Sequence, residues 1–169
     1  MNQKTLAIVI VAVLGVSVVA VAAYLTLSNT NGTNNENTTN IEGANSLQFS
    51  VNVIEDGESE GTFTYSAKNM NSPDLMLRVE IITTEGDIIY IINGVKQEAW
   101  GNIFGIWADL SDEFSSEWEN WNLTMDGYAE SLLGWSGEDD WTFTEEGVTI
   151  RVYDISVNPL LADSLFEPN

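Results

Sequence analysis

The sequence predicts an α+β protein, an antiparallel β-sheet packed on short helices and preceded by one transmembrane helix, and three stretches carry that expectation. Thr5–Leu27 is a run of 23 residues without a charged side chain, enough to cross a bilayer as one helix. Leu75–Trp100, LMLRVEIITTEGDIIYIINGVKQEAW, alternates apolar with polar residues around two glycine turns and reads as three antiparallel strands. Beyond Ser111 the apolar spacing changes to that of helices.

The N-terminal run has two main readings, and a third, an archaeal pilin-type leader, has only a poor processing site in MNQKTL. Lys4 is the only charged side chain before it and no acidic residue precedes Glu36, so a retained anchor leaves the N-terminus in the cytoplasm and the rest of the chain outside. Ala20-Val21-Ala22 offers the alternative, the cleavage site of a signal peptide. Residues 28–46 are rich in Asn and Thr, have nothing to bury, and form a tether of about 25 Å r.m.s. length. Asn31, Asn37 and Asn122 open Asn-x-Thr sequons and are candidate glycosylation sites.

A globular domain is expected from Leu47 to the C-terminus. Leu47, Phe49, Val51 and Val53 alternate with polar residues, as do Phe63, Tyr65 and Ala67 after an acidic turn whose spacing does not match a calcium loop. In the central stretch, a type I′ turn at Asn93-Gly94 sets Ile92 against Val95 and Ile88 against Ala99, and a turn at Glu85-Gly86 sets Val79 against Ile92. Both turns gather Leu77, Val79, Ile81, Ile88, Tyr90, Ile92, Val95 and Ala99 on one apolar face. The opposite face mixes Met76, Ile89 and Ile91 with Arg78, Glu80 and Lys96. Gly101–Leu110 reads as an aromatic link, and Ser111 as the N-cap of a helix with Leu110, Phe114, Trp118 and Trp121 on one stripe. A second short helix is expected from Thr124, bearing Met125, Tyr128, Leu132 and Leu133. Trp141, Phe143 and the alternation Val148, Ile150, Val152 restore strands, and Asn158-Pro159 reads as the cap and first residue of a last helical turn.

Composition excludes several functions. With 26 acidic and five basic side chains and a net charge of -21, the surface repels nucleic acid. The chain has no cysteine and no histidine, which rules out disulfides, thiol and imidazole catalysis, and an ordinary zinc site. No phosphate-binding glycine motif is present, and paired carboxylates are too frequent to single out two for catalysis. The expectation is therefore a binding protein that is not an enzyme, with no cofactor, no metal and no nucleic-acid partner.

The succession of a strand pair, Pro73-Asp74-Leu75-Met76-Leu77-Arg78-Val79-Glu80, a hairpin with Asn93-Gly94, helices, and a final Asn158 and Phe166-Glu167-Pro168 resembles the outer-membrane lipoprotein carrier superfamily. That family includes the mycobacterial cell-envelope lipid carriers. The resemblance implies a curved antiparallel half-barrel enclosing helices, acyl chains bound between the two, and Arg78 in the place of the family's strand arginine. The chain departs from the pattern in having a shorter domain and no lipobox cysteine, so a protein helix takes the place of a lipid anchor. It is thus expected to be a membrane-anchored domain outside the cell, of an archaeal-like surface type, touching the membrane through residues 5–27 and binding a lipid, a lipidated protein or another hydrophobic ligand.

On this expectation Leu77, Val79, Ile81, Tyr90 and Ile92 form the cavity wall. Phe104, Trp107, Phe114, Trp118, Trp121, Tyr128 and Leu132 form an aromatic lid. The alternative is a structural or adhesive surface protein in which the indoles simply fill a solid core. For Arg78, the strand register predicts a half-exposed charge beside Glu80, whereas the family motif predicts a residue that holds the lid closed through backbone carbonyls or a buried carboxylate.

Overall fold

A computed structural model describes residues 41–168 of the protein apart from residues 42, 56, 84, 85, 136, 138, 139, 146 and 147. The proposed anchor at Thr5–Leu27, Asn31 and Asn37 lie outside the described residues. Among the described residues no helix is long and apolar enough to cross a membrane.

Eight strands form one antiparallel sheet: β1 (Ser46–Glu55), β2 (Glu58–Lys68), β3 (Met76–Thr83), β4 (Gly86–Asn93), β5 (Glu98–Ile103), β6 (Ile106–Asp109), β7 (Trp141–Glu145) and β8 (Val148–Val157). Their order is β6-β5-β4-β3-β2-β1-β8-β7. The first six strands meander across the sheet, and the β7-β8 hairpin then joins the free side of β1. Because β6 and β7 lie on opposite edges, the connection between them must cross the sheet. It does so with one helix, α1 (Phe114–Ser131), whose 18 residues rise about 27 Å, most of the roughly 34 Å that eight strands span.

Parity decides which side chains α1 covers. Leu47, Phe49 and Val51 of β1, Phe63, Tyr65 and Ala67 of β2, and Leu77, Val79 and Ile81 of β3 all point to the helix side and are buried. The helix returns Trp121, Met125, Tyr128 and Leu132 to them, spaced by four, three and four residues on one stripe. Trp121 lies over Tyr90 of β4 at 5.6 Å between ring centroids, and about two turns later Tyr128 packs on Phe49 and Tyr65 at 4.9 and 5.0 Å. The helix therefore runs from above β4 and β5 to above β1 and β2.

The faces match the sequence pattern, but both expected registers slip by an even number of residues. Val79 pairs with Tyr90, not Ile92, and Thr83 pairs with Gly86. Ile92 pairs with Ala99 and Asn93 with Glu98, so the Asn93-Gly94 hairpin has a four-residue loop and leaves Val95 exposed. The cause is the surroundings of Gly94. Its amide donates to the Leu75 carbonyl at 2.8 Å, and an added Cβ would stand 2.5 Å from the Pro73 carbonyl oxygen. Asn93 accepts from the Lys96 amide through Oδ1 at 3.1 Å, so its side chain braces the four-residue loop that stands in place of the type I′ turn.

Other expected boundaries also move. Gly101–Leu110 is not a link but β5 and β6 joined at Phe104-Gly105, both at positive φ (54° and 87°) as a type I′ turn requires. Ser111 does not cap the helix; its hydroxyl bridges the Ala99 amide and carbonyl at 3.2 and 3.4 Å, fastening a 3₁₀ turn (Ser111–Glu113) to β5. No break occurs at Thr124, where the two expected helices are one. Asn158 is not an N-cap either. At φ 54° its Oδ1 accepts from the Asn45 amide at 2.8 Å and clips the end of β8 to the start of β1. Ile41 and Ala44, assigned by sequence to the tether, are buried.

The mixed face of the sheet is covered as well. Residues 159–168, ending in a 3₁₀ turn (Asp163–Phe166), form a strap over it. Phe166 is fully buried with Met76 and Ile91, and Ile89, Trp100, Trp107, Leu161 and Leu165 pack around them. This second apolar layer explains why Arg78 is 9% exposed rather than half-exposed. Its Nε donates to Glu80 at 2.6 Å and its Nη1 to the Leu165 carbonyl at 3.3 Å.

Candidate functional site

The registers place one residue from each of six strands in a row across the helix face: Phe49, Tyr65, Val79, Tyr90, Gly101 and Ala108. The row begins with stacked rings (Phe49 and Tyr65, 5.0 Å and 12°) and, after Tyr90, drops to a glycine and an alanine. The adjacent row ends in Ile103 and Ile106, also partners. On the other side Leu110 donates its amide to Ala99 at 2.8 Å and brings its Cδ1 to 3.3 Å from where a Cβ on Gly101 would lie.

Two small side chains between taller neighbours leave a groove. It measures about 580 Å³, floored by Gly101 and Ala108, flanked by Ile103 and Ile106 on one side and Leu110 on the other, and closed inward by Tyr90 and Glu117 of α1. That volume lies in the range of small-ligand sites, roughly 300–1,000 Å³. The helix starts over β4 and β5 and leaves β6 and the β5-β6 turn uncovered. Ile106 is 75% exposed and Ile103 and Phe104 are 40% exposed, so apolar surface continues from groove to rim. Phe104 leans on Gly86, where a Cβ would meet its ring at 2.7 Å.

Of the expected wall, Tyr90 lines this groove, while Leu77, Val79, Ile81 and Ile92 lie in the closed part of the core. Of the expected lid, Phe104 lies at the groove, and Trp121, Tyr128 and Leu132 are core residues, with Phe114 and Trp118 packed against them. Trp107 is on the other face, since its neighbours Ile106 and Ala108 occupy the groove side, and it packs under the strap. The residues that sequence reasoning missed are Gly101, Ile103, Ile106, Ala108, Leu110 and Glu117. A signal for them existed: Gly101-x-Ile103 and Ile106-x-Ala108 alternate symmetrically about Phe104-Gly105.

Burial and charge set the chemistry nearby. Tyr90 titrates above the ordinary phenol value, first because it is desolvated and second because the Glu117 charge opposes a phenolate. Deeper in the core, burial pushes Tyr65 up to about 12 against a smaller opposing effect of Tyr128, and Tyr128 is raised well above 10.0 by the same desolvation. Among the described residues no group of three or more acidic side chains is placed to hold a metal ion. Asn122 lies within α1 beside a recess of about 270 Å³, and the Thr124 hydroxyl of its sequon donates to the Asn120 carbonyl at 3.0 Å. Such a sequon is helical and partly committed, so glycosylation there would have to precede folding.

No family model, curated protein or solved structure matches the chain.

Proposed function

We propose that this protein is a membrane-anchored domain outside the cell that holds a hydrophobic ligand in the groove between the β5-β6 hairpin and the start of α1. The observation that carries the reading is the row ending in Gly101 and Ala108, which leaves about 580 Å³ of apolar space where a continued row of large side chains would have filled it. Placement outside rests on the uncharged run Thr5–Leu27 and its flanking charges. The resemblance to lipoprotein carriers, which implies a half-barrel holding acyl chains, points the same way, and an antiparallel open sheet with a helix across one face supports it. In this domain the ligand site is displaced from the centre of the sheet to one end.

A second reading, a structural surface protein without a ligand, is favoured by the solid centre, where Phe49, Tyr65 and Tyr128 stand within 5.0 Å of one another. Titration with the neutral dye N-phenyl-1-naphthylamine separates the two. The ligand reading expects saturable fluorescence that Ala108→Trp abolishes by filling the groove, with the thermal melt retained. An unsaturable signal, equal in parent and variant, would leave the structural reading.

A further inference from the structure

The polar character of the groove is one-sided. Among its lining residues only Tyr90 and Glu117 carry polar side-chain groups, and none is basic. Leu110 leads directly into the exposed Asp112 and Glu113, which add negative charge at the same end. All four basic residues of the described chain are occupied elsewhere. Lys68 pairs with Asp163, Arg78 with Glu80 and Lys96 with Glu167, the strap side of the sheet, and Arg151 on β8 pairs with Asp140 near the opposite edge from β6. A carboxylate or phosphate head entering the groove finds no counter-charge and faces Glu117.

Building on the ligand reading above, we infer that the groove takes amphiphiles with a cationic head, the alkyl chain over Gly101 and Ala108 and the head against Glu117. Glu117 is then the residue that sets specificity. Its carboxylate is half-buried at the inner end of the groove, close enough to Tyr90 to oppose that phenol's ionisation, so its charge acts inside the site and not only in bulk solvent. The overall charge of -21 adds a longer-range field of the same sign, which draws cations toward the domain and is screened by salt.

The test uses the full chain in nanodiscs of zwitterionic lipid. The native sequence has no cysteine, so Ser115→Cys, exposed on α1 beside the groove and not part of its lining, gives a unique position for an environment-sensitive dye. Octyltrimethylammonium, octanol and octanoate are titrated at low and high salt, with Glu117→Gln on the same background and empty nanodiscs as the blank. The ammonium should bind about fivefold tighter than the octanoate, the worth of one partly exposed ion pair. Glu117→Gln or high salt should shrink that gap. Equal binding of all three amphiphiles, or a gap that survives Glu117→Gln, overturns the inference while leaving the groove a ligand site. No saturable response to any of them overturns the ligand reading itself.

Discussion

Tyr65 and Tyr128 stand ring to ring in the closed part of the core, and their phenols fix a pH limit for the fold. Burial raises Tyr65 from 10.0 to about 12, so the folded state holds its proton more tightly than the unfolded chain does. The stability from this buried neutral form is therefore complete below about pH 10 and lost as pH rises toward 12. Circular dichroism and tyrosinate absorbance followed together should show alkaline unfolding in that window, with Tyr65→Phe losing less. Ionisation of both phenols at the ordinary value with the fold intact would contradict the placement. At the same scale Gly94 shows why a firm sequence signal misled. Asn93-Gly94 satisfies the chemistry of a type I′ turn, but the glycine serves close approach to the Pro73 and Leu75 carbonyls instead. That contact comes from residues 19 to 21 positions earlier, which no local pattern encodes.

Among the elements, the strap changes the picture of the sheet most. Three of the four basic side chains in the described chain hold it: Lys68 to Asp163 and the Leu161 carbonyl, Arg78 to the Leu165 carbonyl, and Lys96 to Glu167 at 2.7 Å. Asn93 adds a bond from Nδ2 to the Phe166 carbonyl at 3.4 Å. Arg78→Ala should cost about 2–4 kcal/mol, because it removes a buried guanidinium, leaves the part-buried Leu165 carbonyl without that donor and takes from Glu80 its partner. Arg78→Lys should not restore the loss, since one ammonium cannot reproduce the two-directional geometry. Thermal melts check both, and a loss below about 1 kcal/mol would place Arg78 among ordinary exposed ion pairs. Outside residues 101–110, strand identity and face were readable because the period of two survives even-numbered slips in register, as the pairs Val79-Tyr90 and Ile92-Ala99 show. The strap was not readable. Its residues lack periodicity, and the apolar members of the mixed face, Met76 and Ile91, looked like exposed exceptions until Phe166 covered them.

For the whole molecule, the helix must link opposite edges of an eight-stranded sheet, and its length and starting point decide what stays open. It covers the large residues over β1 to β4 and leaves open β6 and the far end of β5, where Ile103 and Ile106 are exposed. The sequence disclosed the two partners, an apolar face and an aromatic helical segment, but not where they fail to meet, because that depends on registers which turn chemistry alone misplaced. The result is a centre packed with the rings of Phe49, Tyr65 and Tyr128 and a groove at the end, ringed by Ile103, Ile106 and Leu110. The most direct test is photolabelling of the full chain with a neutral alkyl diazirine, followed by mapping of the labelled peptides. The account predicts saturable label on residues 101–110, competed by excess unlabelled alkane and lost in Ala108→Trp. Label confined to residues 5–27 or to the strap at 159–168, with none on 101–110, would contradict it.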